Sequence, residues 1–139
     1  MRDIKYIVIH CTATPQTTTI ESIKRYWRDV LKWRSNGYHY IVKPCGMLKQ
    51  ITPEENIANG VRGYNKESIH IAYIGGIDAK GRPFNNMTLS QSEVMMSLVW
   101  ALEKKYPNAK VLGHRDFPNV NKACPSFDVK SWLESYDPA

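Results

Sequence analysis

Runs of apolar and β-branched residues predict several strands along the chain. The clearest is Tyr6–His10, which is apolar almost throughout, as expected of a strand buried on both faces. Pro44-Cys45-Gly46 predicts a turn that joins two of the others in a hairpin. The remaining strands are predicted at residues 38–42, 47–51, 69–74 and 110–113. The polar stretch 77–87 is typical of a surface loop.

Three other segments have the spacing of helices. Thr18 and Glu21 have capping-box spacing, and apolar residues then recur at helical intervals, which predicts a helix over about 19–32. Thr88 and Gln91 have the same spacing before an amphipathic helix that ends near Lys105, and a last helix is predicted at 128–135. These elements predict an α/β fold with a central mixed β-sheet flanked by helices. No repeat or linker divides the chain, so we expect one domain over residues 1–139.

Composition is that of an ordinary globular protein, with 42% hydrophobic and 23% charged residues. The net charge of +6 favours an anionic partner such as nucleic acid, cell wall or membrane, although a basic soluble surface explains it equally well. Because no basic run or aromatic-stacking motif is present, nucleic acid is the weakest of these. The apolar run that ends at His10 is too short for a signal peptide or a membrane span. We therefore expect cytoplasmic synthesis, no export signal and no membrane partner.

Candidate metal ligands fall at the ends of predicted strands. His10 ends the first strand, His114 ends the last, and Cys124 follows in a loop bounded by prolines. Two imidazoles and a thiolate would leave the fourth position of zinc open to water, as in catalytic sites. A lone histidine or cysteine is more often structural, and other sets stay open on counting grounds. The further candidates are His39, His70, Cys11 and Cys45. Three cysteines are an odd count, which argues against a disulfide framework.

The chain resembles the type 2 family of N-acetylmuramoyl-L-alanine amidases, and within it the short phage lysozymes that are amidases. Six segments carry the resemblance, in the family's order and over nearly the whole chain. They are Ile9–Thr14, Gly37–Tyr40, Gly63–Asn65 with Ser68-Ile69, Gly75–Asp78, Gly113–Asp116 and Lys122–Asp128. The activity implied is hydrolysis of the amide bond between N-acetylmuramic acid and L-alanine in peptidoglycan, with peptidoglycan or a muropeptide as substrate.

The resemblance also implies a site. One zinc ion per chain would be bound by His10, His114 and Cys124, with Tyr38 and Lys122 as catalytic residues. Lys122 could hold the developing oxyanion, and Tyr38 could position the water or protonate the leaving nitrogen. Substrate-binding residues are not indicated. A monomer is expected. Binding to RNA polymerase is implied only by the resemblance to some phage members of the family. The rival interpretation is a non-catalytic peptidoglycan-binding or regulatory protein, although such receptors typically lack the cysteine ligand.

The chain departs from the family pattern at three places. Ala72 stands where many cell-encoded members have a glutamate base, although the phage-type members also lack it. Asn59-Gly60-Val61 stands where the family often has a histidine, so a substrate contact is missing or is supplied differently. His70 replaces a residue that is usually small, and the sequence offers no explanation for it.

Overall fold

A computed structural model describes residues 2–136 as a five-stranded mixed sheet covered on both faces. The strands lie in the order β3-β2-β4-β1-β5, and all neighbours are parallel except β2 and β3, which form the predicted hairpin. Their bounds are β1 Tyr6–Cys11, β2 Tyr40–Val42, β3 Leu48–Gln50, β4 Ser68–Tyr73 and β5 Lys110–Gly113. The predicted α/β class and mixed sheet are confirmed.

Strand β2 begins two residues later than the sequence predicts. The carbonyl of His39 accepts from the N–H groups of both Ile51 and Thr52, at 2.8 and 3.3 Å. Two residues therefore face one across the hairpin, as in a bulge, and regular pairing starts only at Tyr40. Tyr38 consequently lies in an irregular segment before the strand.

Two of the three helices follow the prediction. Helix α2 spans Leu89–Lys105, and Thr88 and Gln91 form both bonds of the predicted capping box. Helix α3 spans Val129–Ser135, and the Asp128 carboxylate accepts from the N–H of Ser131. Within residues 2–136, no helix has the length and apolarity that crossing a bilayer requires.

The first helix differs from the prediction. Helix α1 spans only Ile20–Arg25 and passes into a π-helical turn, Tyr26–Val30, in which the Leu31 N–H bonds to the Tyr26 carbonyl at 3.1 Å. The predicted cap at Thr18 is wrong by one position, because Thr19 accepts from the Ser22 N–H.

Strict alternation along β1 and β4 divides the side chains between the two faces of the sheet. Ile7, Ile9 and Cys11 of β1 join β4 residues in the larger apolar core, where α2 and α3 pack. The opposite face of the same strands carries His10 and His70. The covering there comes from α1, its π-helical turn and the loops, through a second core of five buried residues: Ile20, Ile23, Trp27, Ile41 and Ile74. The candidate ligands therefore sit between the sheet and irregular chain, where a cavity can form.

Candidate metal centre

Three of the predicted site residues come together as a potential metal site. The ligand atoms of His10, His114 and Cys124 all lie within 4.8 Å of one another. His10 Nδ1 is 3.8 Å from Cys124 Sγ, and the two imidazole rings are 4.8 Å apart between centroids. Tetrahedral zinc, with bonds of about 2.0 to 2.3 Å, separates its ligand atoms by roughly 3.5 Å. A small contraction would therefore complete the coordination geometry.

The local backbone conformation places His114 beside His10 and Cys124. Gly113 ends β5 beside Ile9, and a 3-10 turn from His114 to Asp116 follows directly. The Asp116 carboxylate accepts the Gly113 N–H at 2.8 Å, which closes the turn. A side chain at residue 113 would press on Pro125 at 3.0 Å, so glycine lets the cysteine-bearing loop approach.

Cys124 is held by the end of β1. The backbone N–H of Cys11 donates to Cys124 Sγ at 3.2 Å, and the Arg115 N–H donates to the Cys124 carbonyl at 2.9 Å. The neighbouring Cys11 thiol and burial raise the pKa of the Cys124 thiol well above its usual value. The raised pKa favours the protonated thiol. A divalent cation reverses this, because a thiol that coordinates a metal is deprotonated. All three cysteines are free.

Both imidazoles of the cluster are electrostatically suited to bind a cation. Burial, followed by the nearby His70, His114 and Lys122, holds the pKa of His10 well below its usual range. Burial and then Lys122 lower the pKa of His114 to about 4. Both rings are therefore neutral near pH 7, and metal binding requires the neutral form.

Tyr38 and Lys122 lie at the same site. A cavity of about 110 Å³ is lined by both of them together with His10 and His114. The Tyr38 ring is 5.0 Å from the His10 ring, and its hydroxyl donates to the Cys11 carbonyl at 3.3 Å. Burial, then Cys124 and Cys11, raise the pKa of Tyr38 well above its ordinary value. The phenol therefore keeps its proton and can donate it.

A wider groove of about 900 Å³ adjoins this cavity. It shares five lining residues with the cavity: Trp33, Asn59, Gly60, His114 and Lys122. The additional lining mixes polar, aromatic and apolar side chains and includes Tyr64, Asn119, Asn121, Val61 and Val120. The sequence assigns none of these residues a substrate-binding role, because they come from loops whose packing has no periodic signal.

The alternative ligands lie outside the three-residue cluster, and the position at which many family members have a glutamate carries no carboxylate. Among the described residues, the cluster of three contains neither His39 nor His70. His39 accepts the His70 N–H at Nδ1, 3.0 Å away, and its Nε2 is 2.8 Å from the Asn56 carbonyl. Ala72 is the direct partner of His10 in the β1–β4 register and is fully buried, so no acid is supplied at that position.

Comparisons with known proteins identify related chains and a related fold. The family model of N-acetylmuramoyl-L-alanine amidase matches residues 1–127. The endolysin of Klebsiella phage KP32 is 35% identical over 134 residues, covering 96% of this chain and 87% of the relative. The endolysin of Escherichia phage T7 is 37% identical over 130 residues, covering 92% and 84%. Among solved structures, the Ph2119 endolysin from Thermus scotoductus MAT2119 bacteriophage Ph2119 gives a TM-score of 0.82 at 27% identity, covering 96% and 85%.

Proposed function

The chain belongs to the N-acetylmuramoyl-L-alanine amidase family, and on that premise we propose that it is a zinc-dependent peptidoglycan amidase. The bond it cuts is the amide between N-acetylmuramic acid and L-alanine. The observation that carries the proposal is the cluster of His10, His114 and Cys124 beside a cavity that Tyr38 and Lys122 also line. The sheet and the helices that cover it draw on segments from Tyr6 to Ser135, which supports a single amidase domain over residues 1–139.

The donor set suits one zinc ion. Two neutral imidazoles and one thiolate are ligands that zinc prefers, and three protein ligands are the number found in catalytic rather than structural sites. When bound, zinc supplies Lewis acidity: it lowers the pKa of a coordinated water to about 7 and polarises a carbonyl. The thiolate reduces the net charge of the centre to +1, which makes additional positive charge at the site valuable.

Lys122 is suited to supply that charge. It lines both the cavity and the groove, and it lies close enough to depress the pKa values of His10 and His114. A fixed ammonium group at this point stabilises the oxyanion that forms when the amide carbonyl is attacked. Because stabilisation of this kind acts on the transition state, it raises turnover rather than substrate affinity.

Tyr38 is suited to act as a proton donor. Its hydroxyl makes a long bond of 3.3 Å to the Cys11 carbonyl, which can be exchanged for a bond to the substrate. The raised pKa keeps the hydroxyl protonated, so it can orient the attacking water or protonate the leaving alanine nitrogen. Because Ala72 stands beside His10, no carboxylate is available at that position to orient the water or transfer the proton.

The groove fits a glycan carrying a peptide. Trp33 and Tyr64 offer aromatic faces, while Asn59, Asn119 and Asn121 offer amide donors and acceptors. Sugar rings present both apolar faces and hydroxyl edges, so they can use both kinds of contact. The net charge of +6 favours approach to an anionic cell wall.

Mass analysis of purified peptidoglycan after digestion tests the activity. We expect free L-alanine amino termini, and we expect their release to stop with a zinc chelator and to return when zinc is restored. New reducing sugar ends would identify a glycosidase instead. Binding to peptidoglycan without any released product would favour a non-catalytic receptor.

A further inference from the structure

His70 is a fully buried histidine to which neither the sequence nor the proposed mechanism gives a role. Its Nδ1 lies 2.9 Å from His10 Nε2, and its Nε2 lies 2.9 Å from Asn65 Oδ1. We propose that His70 is a positioning residue for the metal centre, which holds His10 in the tautomer whose Nδ1 is free to bind zinc. This inference rests on the proposed zinc site.

The direction of the hydrogen bonds follows from one backbone group. The Val61 N–H donates to Asn65 Oδ1 at 2.8 Å, which fixes the amide oxygen as the atom that faces this network. An amide oxygen only accepts, so His70 Nε2 must carry the hydrogen in the bond to Asn65. A neutral His70 then has an unprotonated Nδ1, which can only accept.

The hydrogen between the two rings therefore belongs to His10. Its Nε2–H donates to His70, and the neutral His10 ring is left with a lone pair on Nδ1. That nitrogen is the one that lies 3.8 Å from Cys124 Sγ. Metal-binding histidines commonly donate their other N–H to a carboxylate, carbonyl or water, which fixes the tautomer and the ring orientation. Here an imidazole occupies that place.

The His70 ring is itself held on several sides. Its backbone N–H donates to His39 Nδ1 at 3.0 Å, and the His39 ring stacks on it with an interplanar angle of 14°. A ring clamped in this way can orient its partner.

Gly60 makes room for this arrangement. A Cβ at residue 60 would lie 2.2 Å from His70 Nδ1, far inside any permitted contact. Two of the three positions at which the chain departs from the family pattern are therefore in contact. The missing side chain at Gly60 leaves the space that the imidazole of His70 occupies. His70 thereby supplies the orienting acceptor for His10 from β4.

Zinc affinity of His70 variants tests the role. The full chain is titrated with Zn²⁺ in competition with a chromophoric chelator, and far-UV circular dichroism confirms the fold of each metal-free variant. Loss of an orienting partner typically weakens metal binding about 10- to 100-fold, which we expect for His70→Leu. His70→Asn places an oxygen where Nδ1 lies, so we expect its affinity to stay within about threefold of wild type. Equal affinities for wild type and a folded His70→Leu would overturn the inference.

Two further measurements separate positioning from simple packing. Long-range ¹H–¹⁵N correlation spectra of the metal-free protein should show His10 protonated at Nε2 in wild type and His70→Asn, and a mixture of tautomers in His70→Leu. A wild-type His10 protonated at Nδ1 would refute the role without any reference to zinc. Gly60→Ala should weaken zinc binding when His70 is present and have little further effect in the His70→Gly background. Additive effects would show that the two positions are independent.

The outcomes also distinguish this inference from the proposed function. If the wild-type chain fails to bind zinc, the metal site and the positioning role fall together. If wild type binds about one zinc and His70→Leu binds it equally well, only the positioning role is wrong.

Discussion

Acidification should destabilise the metal-free protein well above the pH at which carboxylates titrate. His10, His39 and His70 are each at most 1% exposed, and burial is the first cause of a lowered pKa in all three. In the unfolded chain a histidine takes up a proton below about pH 6.5. In the folded protein His39 does so only at about 4, and the other two are also strongly depressed.

The sign of the effect follows from proton binding. Between about pH 6.5 and pH 4 the unfolded state binds more protons than the folded state, so the free energy of unfolding falls as the pH falls. Above this range all three rings are neutral in both states, and these groups cause no change. Each ring contributes a slope of up to about 1.4 kcal/mol per pH unit, so a loss of about 2 kcal/mol per histidine is expected by about pH 5. The losses from these rings add, and His114, whose pKa is lowered to about 4, acts in the same direction. The total is therefore comparable to the stability of a small domain, about 5 kcal/mol or more.

Urea unfolding of the metal-free chain at about pH 7, 6 and 5 measures this loss directly. His70→Asn provides a matched control, because it removes one of the four histidines whose pKa is lowered in the folded protein, His114 being the fourth, and should therefore reduce the slope. If the free energy of unfolding changes by less than about 1.4 kcal/mol between about pH 7 and pH 5, the three rings are not held neutral together. The reasoning would then be refuted for the whole cluster.

Three further predictions concern the catalytic centre. His10→Ala and His114→Ala should each lose zinc and activity while keeping the fold, and metal analysis showing wild-type zinc content in either would remove that residue from the ligand set. Lys122→Ala should keep zinc and lose about 100- to 1000-fold in kcat, and Tyr38→Phe about 100- to 10000-fold, with little change in KM. A Lys122→Ala enzyme within about threefold of wild type contradicts its oxyanion role. Cys124→Asp should keep measurable zinc and activity because carboxylate is also an anionic ligand, whereas Cys124→Ser and Cys124→Ala should lose most of both. Alanine outperforming aspartate in metal content and turnover would mean that Cys124 packs rather than coordinates.

The sequence predicts those elements best in which a local signal and burial agree. Strand β1 is apolar on both faces and is buried on both faces, and α2 has a complete capping box from Thr88 and Gln91. Gln91 also shows the limit of such signals. Its side-chain nitrogen donates to the carbonyls of Val42 and Ile74, at 3.0 and 3.1 Å, and so ties α2 to the sheet. Nothing in the capping pattern indicates that second contact.

The first helix shows how an apolar pattern can mislead. Val30 and Leu31 continue the helical spacing of the apolar residues before them. The pattern therefore predicts that both lie on the buried face of the helix. The π-helical turn changes the register of the residues that follow it, and Val30 and Leu31 are 62% and 38% exposed. Trp27 keeps its place because Gly37 passes beneath its ring, where a Cβ would lie 2.9 Å from the indole. That contact joins residues ten positions apart and has no local signature.

The proposed ligands His10 and His114 were predictable because they lie at strand ends, but the network behind them depends on register. In the parallel pairing of β1 and β4, Val8 faces His70 and His10 faces Ala72. His70 therefore lies diagonally next to His10 on the same face, and a slip of one residue would turn His70 into the apolar core against α2. Register between parallel strands is set by packing across the whole sheet rather than by any nearby turn. The sequence can show that Gly60 and His70 are unusual, but only the pairing of β4 with β1 brings His70 beside His10.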